Sequence, residues 1–145
     1  MDILLVGGKI KGESNKLSSL FLIMIKLIIL MFICHVIDDF VFQPICLSKL
    51  KQKKFWLENT NNQLYKNDYK MALVIHSFSW SGMILLPWII FAKDWIIMIM
   101  FFINGIIHYI VDDAKANKLT INLIQDQFIH ICQIILTFII LWVTP

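Results

Sequence analysis

The chain has 145 residues, of which 59% are hydrophobic and 16% are charged, and its formal net charge is +3. Because a soluble domain is only about 45–50% apolar, this composition predicts one domain that is embedded in a lipid membrane. The lysines cluster between apolar runs, which excludes a nucleic-acid-binding role, and the lack of arginine excludes chemistry that needs a guanidinium group.

Residues 1–21 are predicted to form an N-terminal tail. This stretch contains Asp2 and Glu13 and only one short apolar patch. No small-residue cleavage site precedes the next hydrophobic run, so the tail does not fit a cleaved signal peptide.

Four later segments are long and apolar enough to cross a bilayer as helices, which takes about 20 residues. They cover residues 22–43, 71–91, 95–112 and 121–143. The last two links are short, so the helices that they join must run antiparallel. The sequence therefore predicts an all-α fold: an integral membrane four-helix bundle with up-down-up-down topology over residues 22–145. Asn104 and Gly105, in the third span, predict a close approach of neighbouring helices.

The link over residues 44–70 is predicted to be a Lys-rich cytoplasmic loop. Its stretch KLKQKKFW, residues 49–56, could lie on anionic lipid headgroups with Phe55 and Trp56 dipping into the membrane; a solvated loop is the alternative. Eight lysines lie in the first and third links, at positions 49, 51, 53, 54, 66, 70, 115 and 118, and four lie on the other side, at positions 9, 11, 16 and 93. Because lysines accumulate on the cytoplasmic side, both termini are expected outside.

Each of the four histidines falls in a different predicted span, and three of them have an aspartate four residues away. The spacing i,i+4 puts both side chains on one face of a helix. With alternating helix directions, each aspartate lies nearer the cytoplasm and each histidine one turn deeper. The four spans are therefore expected to build one site in the inner third of the membrane from the pairs His35–Asp39, His108–Asp112 and Asp126–His130, with His76 at a similar depth.

These carboxylates need a neutralising partner, because an aspartate in a spanning helix costs about 2.5–3.5 kcal/mol at the helix centre. They could be protonated, paired with histidinium ions, or bound to a divalent cation. Mixed imidazole and carboxylate ligation suits transition metals. We expect one or two divalent ions, zinc first and manganese or iron as alternatives, bound by His35, Asp39, His76, His108, Asp112, Asp126 and His130. The alternative is a polar core of interhelical hydrogen bonds.

Several neighbouring polar residues carry weaker expectations. Asp38 and Asp113 lie beside site aspartates but point about 100° away on an α-helix, so they are expected at the membrane interface. Gln43 and Gln127 are expected either to support the site or to contact headgroups. Lys115 could hold an anionic group of a substrate at the mouth of the site.

The stretches HVIDDFVFQ (residues 35–43), HYIVDDAK (108–115) and DQFIH (126–130), with His76 between the first two, together resemble the domain-of-unknown-function 3307 family. That family consists of small predicted membrane proteins of bacteria and phages. The resemblance covers about residues 27–134 and implies a multi-pass protein of the bacterial inner membrane. It supplies no activity. The first 16 residues depart from the family, which makes an internal start such as Met24 an alternative.

Two classes of function fit these residues. The first is a metal-dependent hydrolase of a lipid or lipid-linked substrate, with Asp39 or Asp126 accepting a proton from metal-bound water and Lys115 steadying a phosphate or carboxylate. The second is a non-enzymatic, phage-type membrane protein with a structural His/Asp cluster, whose partner is a host membrane protein or a second copy of itself. A third function, the passage of ions or protons, would need a polar path through the outer half of the membrane. The sequence offers little there beyond Asn104 and Gln133.

Overall fold

The computed structural model describes the backbone of residues 2–43, 45–91 and 95–144, and the side chains of residues 15–43, 46–90 and 95–144. Within these ranges the chain forms helices and no β-strand, so the all-α class is confirmed. The six α-helices are α1 (Asp2–Val36), α2 (Ile45–Leu50), α3 (Lys53–Asn59), α4 (Asp68–Phe91), α5 (Trp95–Asp113) and α6 (Leu123–Val143).

Four helical stretches are long and apolar enough to cross a membrane, and each overlaps one predicted span, although the first two begin seven and eight residues earlier than predicted. They are Asn15–Phe42, Gln63–Ile90, Trp95–Lys118 and Leu123–Val143. Helix α1 starts at Asp2, so the backbone of the predicted tail is helical and continuous with the first stretch. The short Lys93–Asp94 link and Pro44 lie outside the described residues, as do the side chains of Lys9 and Lys11.

The long helices turn apolar side chains outward and polar ones inward. Ile90, Ile106 and Phe128 are each more than half exposed, whereas Asn104 and Gln133 are buried. A protein in water has the opposite distribution. This inverted pattern is what helices need when their surroundings are apolar.

The interior has an apolar part and a polar part. The apolar part includes Met31, Ile84 and Ile134, which are fully buried. Helix α4 packs against α1 and α5, and α6 packs against the same two helices. Trp80 belongs to the apolar core and also touches the histidines, so it joins the two parts.

Helices α1 and α5 both end in a π-helical segment. Residues Ile37–Phe42 continue α1, and residues Ala114–Lys118 continue α5. The second segment ends at Leu119, whose backbone is left-handed with φ 56° and ψ 32°. Hydrogen bonds from i to i+5 widen a helical turn, and such segments are frequent at functional sites. Here the first segment changes the direction in which Asp38 and Asp39 point.

Gly105 allows α5 to approach α4 closely, as predicted. A Cβ atom at this position would lie 2.8 Å from the ring of Phe78 on α4. Asn104 has a different role, because its side-chain oxygen accepts hydrogen bonds from Gln133 Nε2 at 2.9 Å and from Thr137 Oγ1 at 3.0 Å on α6. One residue thus sets the α4–α5 distance and its neighbour links α5 to α6.

We expect Gly105→Ala to lower the stability of the purified protein by about 1–3 kcal/mol, the usual cost of overpacking, in thermal unfolding in detergent. Gly82→Ala is the matched control, because its new Cβ atom would lie 3.6 Å from the ring of Phe101, an ordinary contact. Equal stability of the two variants would contradict the close packing of α5 on Phe78.

A buried His/Asp/Lys cluster as candidate metal centre

The predicted site residues meet in one buried cluster toward one end of the four long helices. Helix α1 and its π-helical continuation, and α4, α5 and α6, each supply at least one member. The members are His35, Asp38, Asp39, His76, His108, Asp112, Asp126 and His130. The expected convergence of residues from four separate helices is therefore observed.

The distances between imidazole nitrogens and carboxylate oxygens are longer than hydrogen bonds. His76 Nε2 lies 3.5 Å from Asp39 Oδ1 and 3.5 Å from Asp112 Oδ2. An N–H···O hydrogen bond normally spans about 2.7–3.2 Å. Two ligand atoms that are each about 2.0–2.1 Å from a tetrahedral zinc ion are roughly 3.4 Å apart. These two 3.5 Å spacings are compatible with the edges of a metal site.

Two groups of three residues bring one ligand atom each to within 4.8 Å of one another. They are Asp39, His76 and His108, and His108, Asp112 and His130. His108 belongs to both groups, and neither of its ring nitrogens has a hydrogen-bond partner among the described residues. Buried polar atoms normally have partners. A cation beside His108 would satisfy one of these nitrogens.

Stacked rings hold the central histidines in place. The indole of Trp80 stacks on His108 with ring centroids 4.3 Å apart, and His108 stacks on His130 at 4.1 Å. Trp80 Nε1 also donates a 2.8 Å hydrogen bond to His35 Nδ1. His35 thus orients Trp80 and belongs to neither three-residue group, so its predicted role as a ligand stays a prediction.

Two lysines enter the cluster and pair with its aspartates. Lys51 Nζ lies 2.6 Å from Asp112 Oδ2, and Lys115 Nζ lies 2.6 Å from Asp126 Oδ2. Only 5% of the Lys51 side chain is exposed. Lys51 is therefore not available to lipid headgroups, because the turn after α2 directs it inward. Headgroup contact by the rest of residues 49–56 stays a prediction. Lysine ammonium groups are thus a further kind of partner for the carboxylates, beside the protons, histidinium ions and divalent cation expected from the sequence.

Asp38 is buried rather than interfacial, contrary to the prediction. It is 2% exposed, accepts a 2.8 Å hydrogen bond from Ser79 Oγ, and lies 3.6 Å from His76. The prediction assumed the 100° step of an α-helix, whereas Asp38 and Asp39 lie in a π-helical turn. That turn lets two consecutive aspartates reach the cluster. Asp113 remains at the edge and pairs with Lys118 at 3.1 Å.

The cluster has more negative than positive groups. Four aspartates, Asp38, Asp39, Asp112 and Asp126, face two lysines, Lys51 and Lys115. With neutral imidazoles, two negative charges remain without compensation. An uncompensated charge away from water is costly. One divalent cation, or two histidinium ions, would balance the cluster.

Amide side chains connect the cluster to its surroundings. Gln127 donates to Asp39 Oδ2 at 3.3 Å and to Asp126 Oδ2 at 3.1 Å, which matches its expected supporting role. Asn117 donates to the backbone oxygen of Lys51 and to Asp113, and its own oxygen accepts from the backbone N–H of Lys53. Asn117 was not singled out in the sequence, and it fixes the chain that inserts Lys51.

A cavity of about 410 Å³ leads to the cluster between α1, α2, the second π-helical segment and α6. Asp39, Lys51, Lys115 and Gln127 are among the residues that line it. Pockets of this size bind small molecules. The cluster is therefore accessible from one side, at Asp39.

No family model matches the chain, and no curated protein or solved structure is similar to it. The resemblance to the domain-of-unknown-function 3307 family therefore stays a prediction. The chemistry of the cluster has to be inferred from its own geometry.

We expect Lys51→Ala to lower the free energy of unfolding by about 3–5 kcal/mol, because it leaves Asp112 buried without its partner. Lys54→Ala is the matched control: Lys54 comes from the same lysine run, its side chain is 80% exposed, and it pairs loosely with Glu58. An exposed pair contributes about 0–1 kcal/mol. Denaturant titration in detergent measures both, and an equal effect would contradict the burial of Lys51.

Proposed function

We propose that the chain is a multi-pass protein of the bacterial inner membrane in which α1, α4, α5 and α6 cross the bilayer in alternating directions. The outward apolar surface supports insertion. The polar cluster lies at the C-terminal ends of α1 and α5 and near the N-terminal ends of α4 and α6, which supports the up-down-up-down order. The excess of lysine in the first and third links puts the cluster on the cytoplasmic side and both termini outside.

The cluster is a centre for one divalent transition metal ion. The observation that carries this proposal is His108, a fully buried imidazole in which neither nitrogen has a hydrogen-bond partner among the described residues. It sits between two groups that each offer a carboxylate and another imidazole. A single ion also balances the two uncompensated negative charges. Mixed nitrogen and oxygen ligands suit zinc, with manganese or iron as alternatives.

The activity that fits the site best is hydrolysis of a lipid or lipid-linked substrate. A bound ion of this kind lowers the pKa of coordinated water towards neutrality. Of the two candidate proton acceptors, Asp39 is the better placed, because it lines the cavity, whereas Asp126 is fully buried. Asp39 is free for this role when His108, Asp112 and His130 hold the ion. Asp126 already accepts from Lys115 and Gln127, so it serves to position Lys115.

A structural role is the second candidate. The cluster ties four helices together from the inside, and most of its members are buried. A metal ion with only protein ligands would then lock the bundle, which would act by binding a host membrane protein or a second copy of itself. The cavity at Asp39 favours hydrolysis over this alternative.

The purified protein is expected to carry about one zinc, manganese or iron ion per chain, measured by inductively coupled plasma mass spectrometry. His108→Ala should remove the ion, because both three-residue groups lose a shared ligand. Cys46→Ser is the control, since Cys46 is an exposed thiol outside the cluster and its loss should leave the metal content unchanged. Fully stable wild-type protein without metal would refute the metal centre.

A reporter fused after the last residue tests the proposed orientation. Alkaline phosphatase at the C-terminus is expected to be active, because this enzyme folds only outside the cytoplasm, and a cytoplasmic fluorescent reporter at the same place should give no signal. A reporter in the loop after α3 should give the opposite pattern. Fluorescence from the reporter at the C-terminus would show that this end is cytoplasmic and would contradict the proposed orientation.

A further inference from the structure

The cavity beside the cluster is lined by two ammonium groups, each of which is also paired with an aspartate of the cluster. Lys51 and Lys115 line it, and Asp39 is the one acidic side chain among the described residues that do so. The amides of Gln43, Gln52 and Gln127 and the hydroxyl of Ser48 complete its polar wall. This composition suits an anion whose oxygens accept several hydrogen bonds.

Both lysines have hydrogen-bond donors to spare. An ammonium group carries three N–H donors, yet Lys51 makes one hydrogen bond within the described residues, to Asp112. Lys115 Nζ donates to Asp126 at 2.6 Å and lies 3.8 Å from Asp112 Oδ1, beyond hydrogen-bond length. Unmet donors are costly on the buried Lys51 ammonium, whereas the Lys115 side chain is 30% exposed. An acceptor with several oxygens in the cavity would satisfy donors of both lysines.

The rim of the cavity is apolar. Phe40, Leu119 and Leu123 line it, and each is at least 60% exposed. Leu119 has a left-handed backbone, which is uncommon for a residue with a side chain and costs free energy. A leucine held this way at the edge of a polar cavity gives its occupant an apolar surface beside the charged one.

We propose that this cavity binds the phosphate group of a membrane amphiphile, with the phosphate between Lys51 and Lys115 and the apolar chain against Phe40, Leu119 and Leu123. The inference rests on the proposed function and names its substrate class. In the metal-loaded protein the phosphate ester would lie next to Asp39, where the water is activated. The free N–H donors of the two lysines favour phosphate over a neutral lipid, and the apolar rim favours an amphiphile over inorganic phosphate.

Native mass spectrometry or calorimetry of the full-length protein in a neutral detergent tests this proposal with three probes. They are dihexanoyl phosphatidic acid, dihexanoylglycerol and inorganic phosphate. We expect phosphatidic acid to bind at least tenfold more tightly than either of the others, because hydrogen bonds to charged groups are the strong ones. Lys115→Gln should weaken its binding about tenfold or more.

Lys118→Gln is the matched control, because Lys118 lies three residues away, is 60% exposed and pairs with Asp113 outside the cavity. It should bind phosphatidic acid like the wild type. Gln43→Leu provides a second cavity variant that keeps every charge, and it should also weaken binding.

Equal binding of dihexanoylglycerol, or unchanged binding by Lys115→Gln, would overturn the phosphate site. Equal binding of inorganic phosphate would contradict the proposal that the ligand is an amphiphile. Metal content measured on the same samples separates the two proposals. If the protein contains metal but does not prefer phosphatidic acid, only this inference is contradicted. If it lacks metal but prefers phosphatidic acid, only the proposed metal centre is contradicted.

Discussion

The fold depends on how four carboxylates are kept inside an apolar helix bundle. Asp38, Asp39, Asp112 and Asp126 are brought together with four imidazoles, and removing such charges from water costs several kcal/mol per ion. Two lysines offset half of that charge. The remaining two negative charges, together with the unmet nitrogens of His108, support the proposal of a bound divalent cation, on which the proposed hydrolysis rests.

The short segments outside the four long helices position the residues that compensate the charge of these carboxylates. Helix α2 delivers Lys51 to Asp112, and Asn117 in the second π-helical segment holds the backbone of that lysine. The first π-helical segment turns two consecutive aspartates inward. The same pieces enclose the cavity at Asp39. Charge compensation and access to the site are therefore built from the same short elements.

The sequence predicted the features that depend on composition and period, and it missed those that depend on tertiary contacts. Hydrophobic length located the four long helices, and the i,i+4 spacing put three of the four histidines beside an aspartate. The α-helical period then misplaced Asp38, because a local change to π-helix leaves no clear signal in the sequence. Lys51 is one of several similar lysines in its run, and only its contact with Asp112 distinguishes it. Trp80 was missed for a similar reason, since its role comes from stacking on His108.

Anomalous X-ray scattering from crystals of the purified protein, recorded on both sides of the zinc absorption edge, tests the central claim most directly. The account predicts one peak beside His108, within bonding distance of imidazole nitrogens and a carboxylate oxygen from at least two helices. A cluster with no peak, in which every buried carboxylate is paired with lysine or histidine alone, would contradict it.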